Sequence, residues 1–106
     1  MKIKLEKLIN TLKILLAPNG CEWDRSQTHE SLIPYMLEEV YEVIEAIEHN
    51  DDVLLREELG DLLLHILFQA ELANKKDKFD IYDSIENINT KLINRHPHIF
   101  SDDKNK

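Results

Sequence analysis

The segment Leu59-Gly60-Asp61-Leu62-Leu63-Leu64-His65-Ile66-Leu67-Phe68 is apolar almost all the way round a helical wheel, yet carries ionisable groups along one line. A helix of that kind is buried on several sides, so the rest of the chain has to supply helices that cover it. Glu58, Asp61, His65 and Gln69 recur at spacings of three, four and four and project onto one narrow stripe. Leu55, Leu59, Leu62 and Ile66 flank the stripe on one side, Leu64 and Phe68 on the other. Unpaired charges in such a place are expensive, so the carboxylates are paired, protonated or bound to metal. Arg56, which could neutralise one of them, projects away from the stripe. His65 reads as a hydrogen-bonded core histidine that supports the carboxylates rather than as a ligand.

The covering helices follow from the 3.6-residue period. Lys2 to about Leu16 places Ile3, Leu5, Leu8, Ile9, Leu12, Leu15 and Leu16 on one side, and Pro18-Asn19-Gly20 stops it. A polar connection, residues 21–29, leads to a second helix that starts from Thr28 or Ser31, tolerates Pro34 in or near its first turn and ends around His49-Asn50. Asp51 or Asp52 caps the third helix, which runs from Val53 to about Asn74. Asp80 or Asp83 opens a fourth that Pro97 terminates, with Ile81, Ile85, Ile88 and Leu92 as its buried stripe. The expected fold is all-α, a four-helix-bundle-like module over residues 1–100 with a frayed tail at 101–106.

Composition narrows the function. With 106 residues, 42% hydrophobic, two glycines and three prolines, the chain is one helix-rich domain. Its net charge of −8 opposes binding to a nucleic-acid backbone. The lone Cys21 forms no internal disulfide, and no apolar run approaches the ~18 residues of a membrane span, so a cytoplasmic protein without membrane or nucleic-acid partners is expected.

The second helix carries Leu37-Glu38-Glu39-Val40-Tyr41-Glu42-Val43-Ile44-Glu45. Leu32, Ile33, Met36, Leu37, Val40, Val43, Ile44 and Ile47 share one face; Glu38 and Glu45 point roughly away from it, Glu39 lies at its border and Glu42 beside it, one turn on. Two carboxylates three residues apart repel unless a cation lies between them. A solvated acidic face would explain this helix alone. Facing Glu58 and Asp61, however, the pair completes an oxygen-only cage suited to hard divalent ions, magnesium above all and manganese as a substitute. The di-iron sites of helical bundles use Glu-x-x-His, and no histidine here has a glutamate three residues before it.

Glu38-Glu39-x-x-Glu42, then fifteen residues, then Glu58-x-x-Asp61 resembles the E-E-x-x-E and E-x-x-D signature of the all-α nucleoside triphosphate pyrophosphohydrolases. The stretches 19–32, 57–64 and 95–100 resemble its MazG branch, so the likeness covers nearly the whole chain. Glu22 departs from the proline usual between the cysteine and tryptophan, and the chain reads as one module where many members are tandem. The resemblance implies magnesium-dependent hydrolysis of a nucleoside triphosphate to monophosphate and pyrophosphate, as broad-specificity house-cleaning. It also implies Glu39, Glu42, Glu58 and Asp61 as metal ligands and Glu38 as the group that orients or deprotonates water. A sister activity on deoxyuridine or deoxycytidine triphosphate or on phosphoribosyl-ATP is the alternative within the scaffold; a non-catalytic helical interaction module is the alternative outside it.

Lys91 and Arg95, four apart on the fourth helix, are solvated surface charges or, as the family's basic segment suggests, hold the phosphate tail. Trp23 in the polar connection is a packing lid or a stacking face for a base, with Asp24, Gln27 or His29 reading polar edges. A homodimer or homotetramer is expected: the other helices cover Leu59, Leu62, Leu63 and Ile66 but leave Leu64, Leu67 and Phe68 without partners, an apolar patch that a second copy would bury, as the family's habit also implies.

Overall fold

A computed structural model of the chain describes residues 2–100; the expected frayed tail, 101–106, lies outside the described residues. Six helices follow one another: α1 Lys2–Leu16, α2 Glu22–Arg25, α3 Ile33–Glu48, α4 Asp52–Lys75, α5 Ile81–Arg95 and α6 Pro97–Phe100, with no strand among the described residues. The four long helices are those expected, and the architecture is all-α.

Each helix end has a local cause. After α1 the chain doubles back so tightly that the Gly20 and Cys21 amides donate to the carbonyls of Ala17 and Leu15 at 2.7 and 2.8 Å. A Cβ at position 20 would sit 2.1 Å from the Leu15 carbonyl oxygen, so only glycine fits this approach. The connection at 21–29, expected to be irregular, contains the helical turn α2, closed by the Ser26 hydroxyl and the Gln27 amide, which both donate to the Trp23 carbonyl. Thr28 and Ser31 then work together: each side-chain oxygen accepts the other residue's backbone N–H, at 3.0 and 2.8 Å. Regular α3 begins at Ile33, with Pro34 in its first turn, where no intrahelical N–H bond is lost.

Asn50 at φ 55° turns the chain out of α3, and the Asp51 amide reaches back to the Ala46 carbonyl. Asp51 is the residue that caps α4, accepting from the Leu54 amide at 3.0 Å. The same left-handed exit recurs at Asp77, φ 56°, where the Lys78 amide donates to Ala73. Asp80 and Asp83 both contribute to the start of α5, as the two members of a capping box. Pro97 follows the end of α5 and opens α6.

The core lies at one end of the molecule. Ile9, Leu12 and Leu16 of α1 pack with Leu32, with Leu67, Phe68, Ala70 and Leu72 of α4, and with Ile81 of α5. This corrects the expected distribution of burial on α4. Leu67 and Phe68 are buried at 1% and 3% exposure, whereas Leu63 and Ile66 are exposed at 39% and 45%, and Leu59 is exposed with them. The reason is placement: α1 covers the C-terminal half of α4, and after Ile81 the fourth long helix leaves Ile85, Ile88 and Leu92 exposed rather than buried. Leu64 is exposed as expected.

The third helix in sequence, α3, is turned differently as well. Its less exposed positions are Met36, Glu39, Glu42, Val43 and Ala46, of which Met36, Glu39, Val43 and Ala46 continue from Leu32 at spacings of four, three, four and three, the period of a helix–helix seam. Ile33, Leu37, Val40, Ile44 and Ile47 stand exposed. The fold therefore presents a long apolar face on α3, the N-terminal half of α4, and α5. The radius of gyration is 17.2 Å, against roughly 13 Å for a compact chain of this length.

Candidate functional site

Because α3 and α4 are antiparallel neighbours joined by a three-residue turn, the seam residue Glu39 comes opposite Glu58. One carboxylate oxygen from each of Glu39, Glu58 and Asp61 lies within 4.8 Å of the others. Glu39 is thus in the middle of the helix interface rather than at its border. Glu42, one turn on, lines a cavity of about 230 Å³ with Glu58, Leu54 and Glu45. Glu45, three residues beyond Glu42, lines the cavity while itself remaining exposed, in keeping with its place on the wheel.

The electrostatics are those of carboxylates held together against their repulsion. Glu58 is pushed up to about 7, first by a hydrogen bond shared with the Glu42 carboxylate, then by loss of hydration and by Glu39. Burial, followed by the charges of Glu42 and Asp61, raises Glu39 as well. One oxygen of Glu39 and one of Glu58 are buried with no hydrogen-bond partner. Arg56 forms no ion pair, and the single ion pair among the described residues joins Lys13 to Glu71, far along the chain. Orphaned carboxylate oxygens converging from two helices fit a hard divalent cation, for which they are the preferred donors.

Glu38, the neighbour of Glu39 in sequence, is exposed, turned away from the seam as the wheel implies. His65, one turn past Asp61, is half-buried with its Nδ1 unpartnered. The far end of the stripe has a different use: Gln69 grips His29, its amide donating to the His29 carbonyl at 3.1 Å while its Oε1 meets the ring Nδ1. Gln69 is the residue whose role the sequence concealed, since only the fold shows what it faces. Trp23 packs edge-on against Tyr35 of α3, ring centroids 5.7 Å apart, and remains half exposed. Asp24 lies beside it, partly buried, on the same turn. The stripe thus joins the carboxylates to the loop of Trp23, Asp24 and His29, over about 12 Å from Asp61 to Gln69 at helical rise.

Lys91 and Arg95 are not brought to the carboxylates. Both are exposed near the end of α5, which has no contact with α3, and neither has an ion pair among the described residues.

The family model described as MazG nucleotide pyrophosphohydrolase domain matches residues 27–100. The nucleoside triphosphate pyrophosphohydrolase/pyrophosphatase MazG of Thermotoga maritima is 52% identical over 100 residues, covering 94% of this chain and 39% of that protein. The nucleoside triphosphate pyrophosphohydrolase of Escherichia coli K12 is 44% identical over 93% of this chain and 38% of its own length. The chain thus spans about two fifths of the length of these curated relatives. A crystal structure of a MazG-related protein from Thermotoga maritima superposes with a TM-score of 0.77 at 30% identity, covering 92% of this chain and 83% of that one. The spacing of the acidic residues, the helical fold that brings Glu39, Glu58 and Asp61 together and these likenesses agree: the chain belongs to the MazG nucleotide pyrophosphohydrolase domain family.

Proposed function

We propose that this chain hydrolyses nucleoside triphosphates to the monophosphate and pyrophosphate in a magnesium-dependent reaction of broad specificity, with manganese able to substitute. The observation that carries the reading is the convergence of the Glu39, Glu58 and Asp61 carboxylate oxygens, two of the participating side chains having a buried oxygen without a partner. Glu39, Glu42, Glu58 and Asp61 would hold the ion, which when bound neutralises the triphosphate and acidifies a coordinated water.

The chain's own residues do the rest. Glu38, exposed and adjacent to Glu39 in sequence, accepts the proton of the attacking water as the new phosphorus–oxygen bond forms; the bond to pyrophosphate breaks in line with it. Trp23 offers a flat face for the base, and Asp24 and His29 offer polar edges, His29 being fixed by Gln69. Lys91 and Arg95 reach the phosphate tail only if a second copy carries them there. A homodimer or dimer of dimers is part of the proposal, supported by the exposed apolar face and the open shape of the single chain.

Pyrophosphate release from a panel of ribo- and deoxyribonucleoside triphosphates, with magnesium, manganese or chelator, tests the reading. Release from several of them, lost with chelator and restored by magnesium, is expected. Absence of release from all of them would leave a helical interaction module instead.

A further inference from the structure

At the end of α4 remote from the carboxylates, the chain builds a second, oppositely charged cavity of about 470 Å³. Lys13, Arg25 and Lys75, from three different helices or their ends, line it together with Glu71 and Asn74. Three cations against one carboxylate leave a net +2, in a chain whose overall charge is −8. The volume is that of a small-molecule pocket. Leu16 and Pro18 form its apolar wall.

The cations are not used up by the fold. Glu71, only 4% exposed, is paired with Lys13 at 2.9 Å, which fixes one ammonium at the cavity edge. The Lys75 ammonium donates one hydrogen bond, to the Leu16 carbonyl at 3.2 Å, and keeps two N–H groups. Among the described residues the Arg25 guanidinium has no ion pair or side-chain hydrogen bond. Asp61 and Glu71 are ten residues apart on α4, about 15 Å at helical rise, so this cavity is separate from the acidic cluster.

We propose that this cavity binds the dianionic phosphate of a small phosphomonoester, with Arg25 and Lys75 as the principal donors, Lys13 beside them and the organic body against Leu16 and Pro18. The charge matches: a phosphomonoester carries about −1.5 to −2 at neutral pH. An arginine fork and an ammonium are the groups that suit its oxygens. Asn74 adds an amide able to donate or accept towards hydroxyl or base edges. The site does not depend on how the carboxylates act.

Calorimetric titration of the full chain in chelator, where no divalent ion links ligand to the acidic cluster, tests the proposal. The probes are inorganic phosphate, ribose 5-phosphate, adenosine 5′-monophosphate and, lacking the phosphate, adenosine. Saturable binding of the phosphorylated probes but not of adenosine is expected; comparison of the first three shows whether phosphate alone, sugar phosphate or nucleotide is preferred. Arg25→Gln and Lys75→Gln should each weaken it about tenfold, the loss of one charge-assisted hydrogen bond. Glu71→Gln should tighten it, because Lys13 is released and the net charge rises. Adenosine binding as well as its monophosphate, no saturable binding, or affinity unchanged in both Arg25→Gln and Lys75→Gln overturns the proposal. The last two variants, both at exposed positions, decide the matter should Glu71→Gln fail to fold.

Discussion

Gln69 on α4 holds His29 at two points, donating to its backbone carbonyl at 3.1 Å and meeting its ring Nδ1 with the amide oxygen. That pair ties the loop before α3 to the helix that carries Glu58 and Asp61. Replacing Gln69 with Leu should cost about 1–3 kcal/mol, since partly buried groups of His29 lose their partner. Urea denaturation reads that loss. The KM for a triphosphate should rise more than kcat falls; an unchanged KM would separate His29 from substrate binding.

Neutralising one carboxylate should remove activity while sparing the fold. Glu39→Gln or Asp61→Asn should abolish pyrophosphate release and the stabilisation that magnesium gives the wild-type chain. Without metal, the melting temperature should hold or rise, because one repulsion in the cluster is relieved. Wild-type turnover at saturating magnesium would refute the assignment.

The elevated Glu58 gives the metal-free chain a defined pH response. Its folded value near 7 exceeds its ordinary 4.5, so between these limits the native state binds more protons than the unfolded one. Stability contributed by the protonated carboxyl is complete below about pH 4.5 and lost as pH rises through 7. Calorimetric melting in chelator should show this fall, and Glu58→Gln should flatten it. Magnesium should oppose it, since the ion takes the deprotonated form.

Self-association should depend on the exposed half of α4. Leu63→Glu, at a position 39% exposed in the single chain, should give a folded species near 12.5 kDa by light scattering where the wild type is larger. Phe68, buried at 3%, is not a suitable probe, because a charge there would unfold the core. A wild-type monomer at micromolar concentration would refute the oligomer.

Gly20→Ala should lower stability by about 1–3 kcal/mol, as its new methyl has to displace backbone rather than a movable side chain. Chemical denaturation measures it, and an unchanged midpoint would show that the α1–α2 turn yields freely.

The sequence by itself determined the all-α class, the four long helices and most of their caps, because 3.6-residue periodicity, prolines and Asp, Ser or Thr caps are local signals. It also singled out Glu39, Glu42, Glu58 and Asp61, since the cost of placing charge on an apolar helix is legible residue by residue. Only the tertiary structure decided which side of each helix was covered. The wheel of α3 put Leu32, Ile33, Met36, Leu37, Val40, Val43, Ile44 and Ile47 on one face, but the seam took Leu32, Met36, Glu39, Val43 and Ala46 and left Ile33, Leu37, Val40, Ile44 and Ile47 exposed. On α4 the wheel was apolar nearly throughout and could not tell that α1 would bury Leu67 and Phe68 while Leu63 and Ile66 stayed bare. The His29–Gln69 contact and the Lys13, Arg25 and Lys75 cavity join residues 12 to 62 positions apart on different elements, beyond any periodic signal. Periodicity fixes the angle of a side chain about its own axis; which neighbour meets that angle is set by how the helices pack.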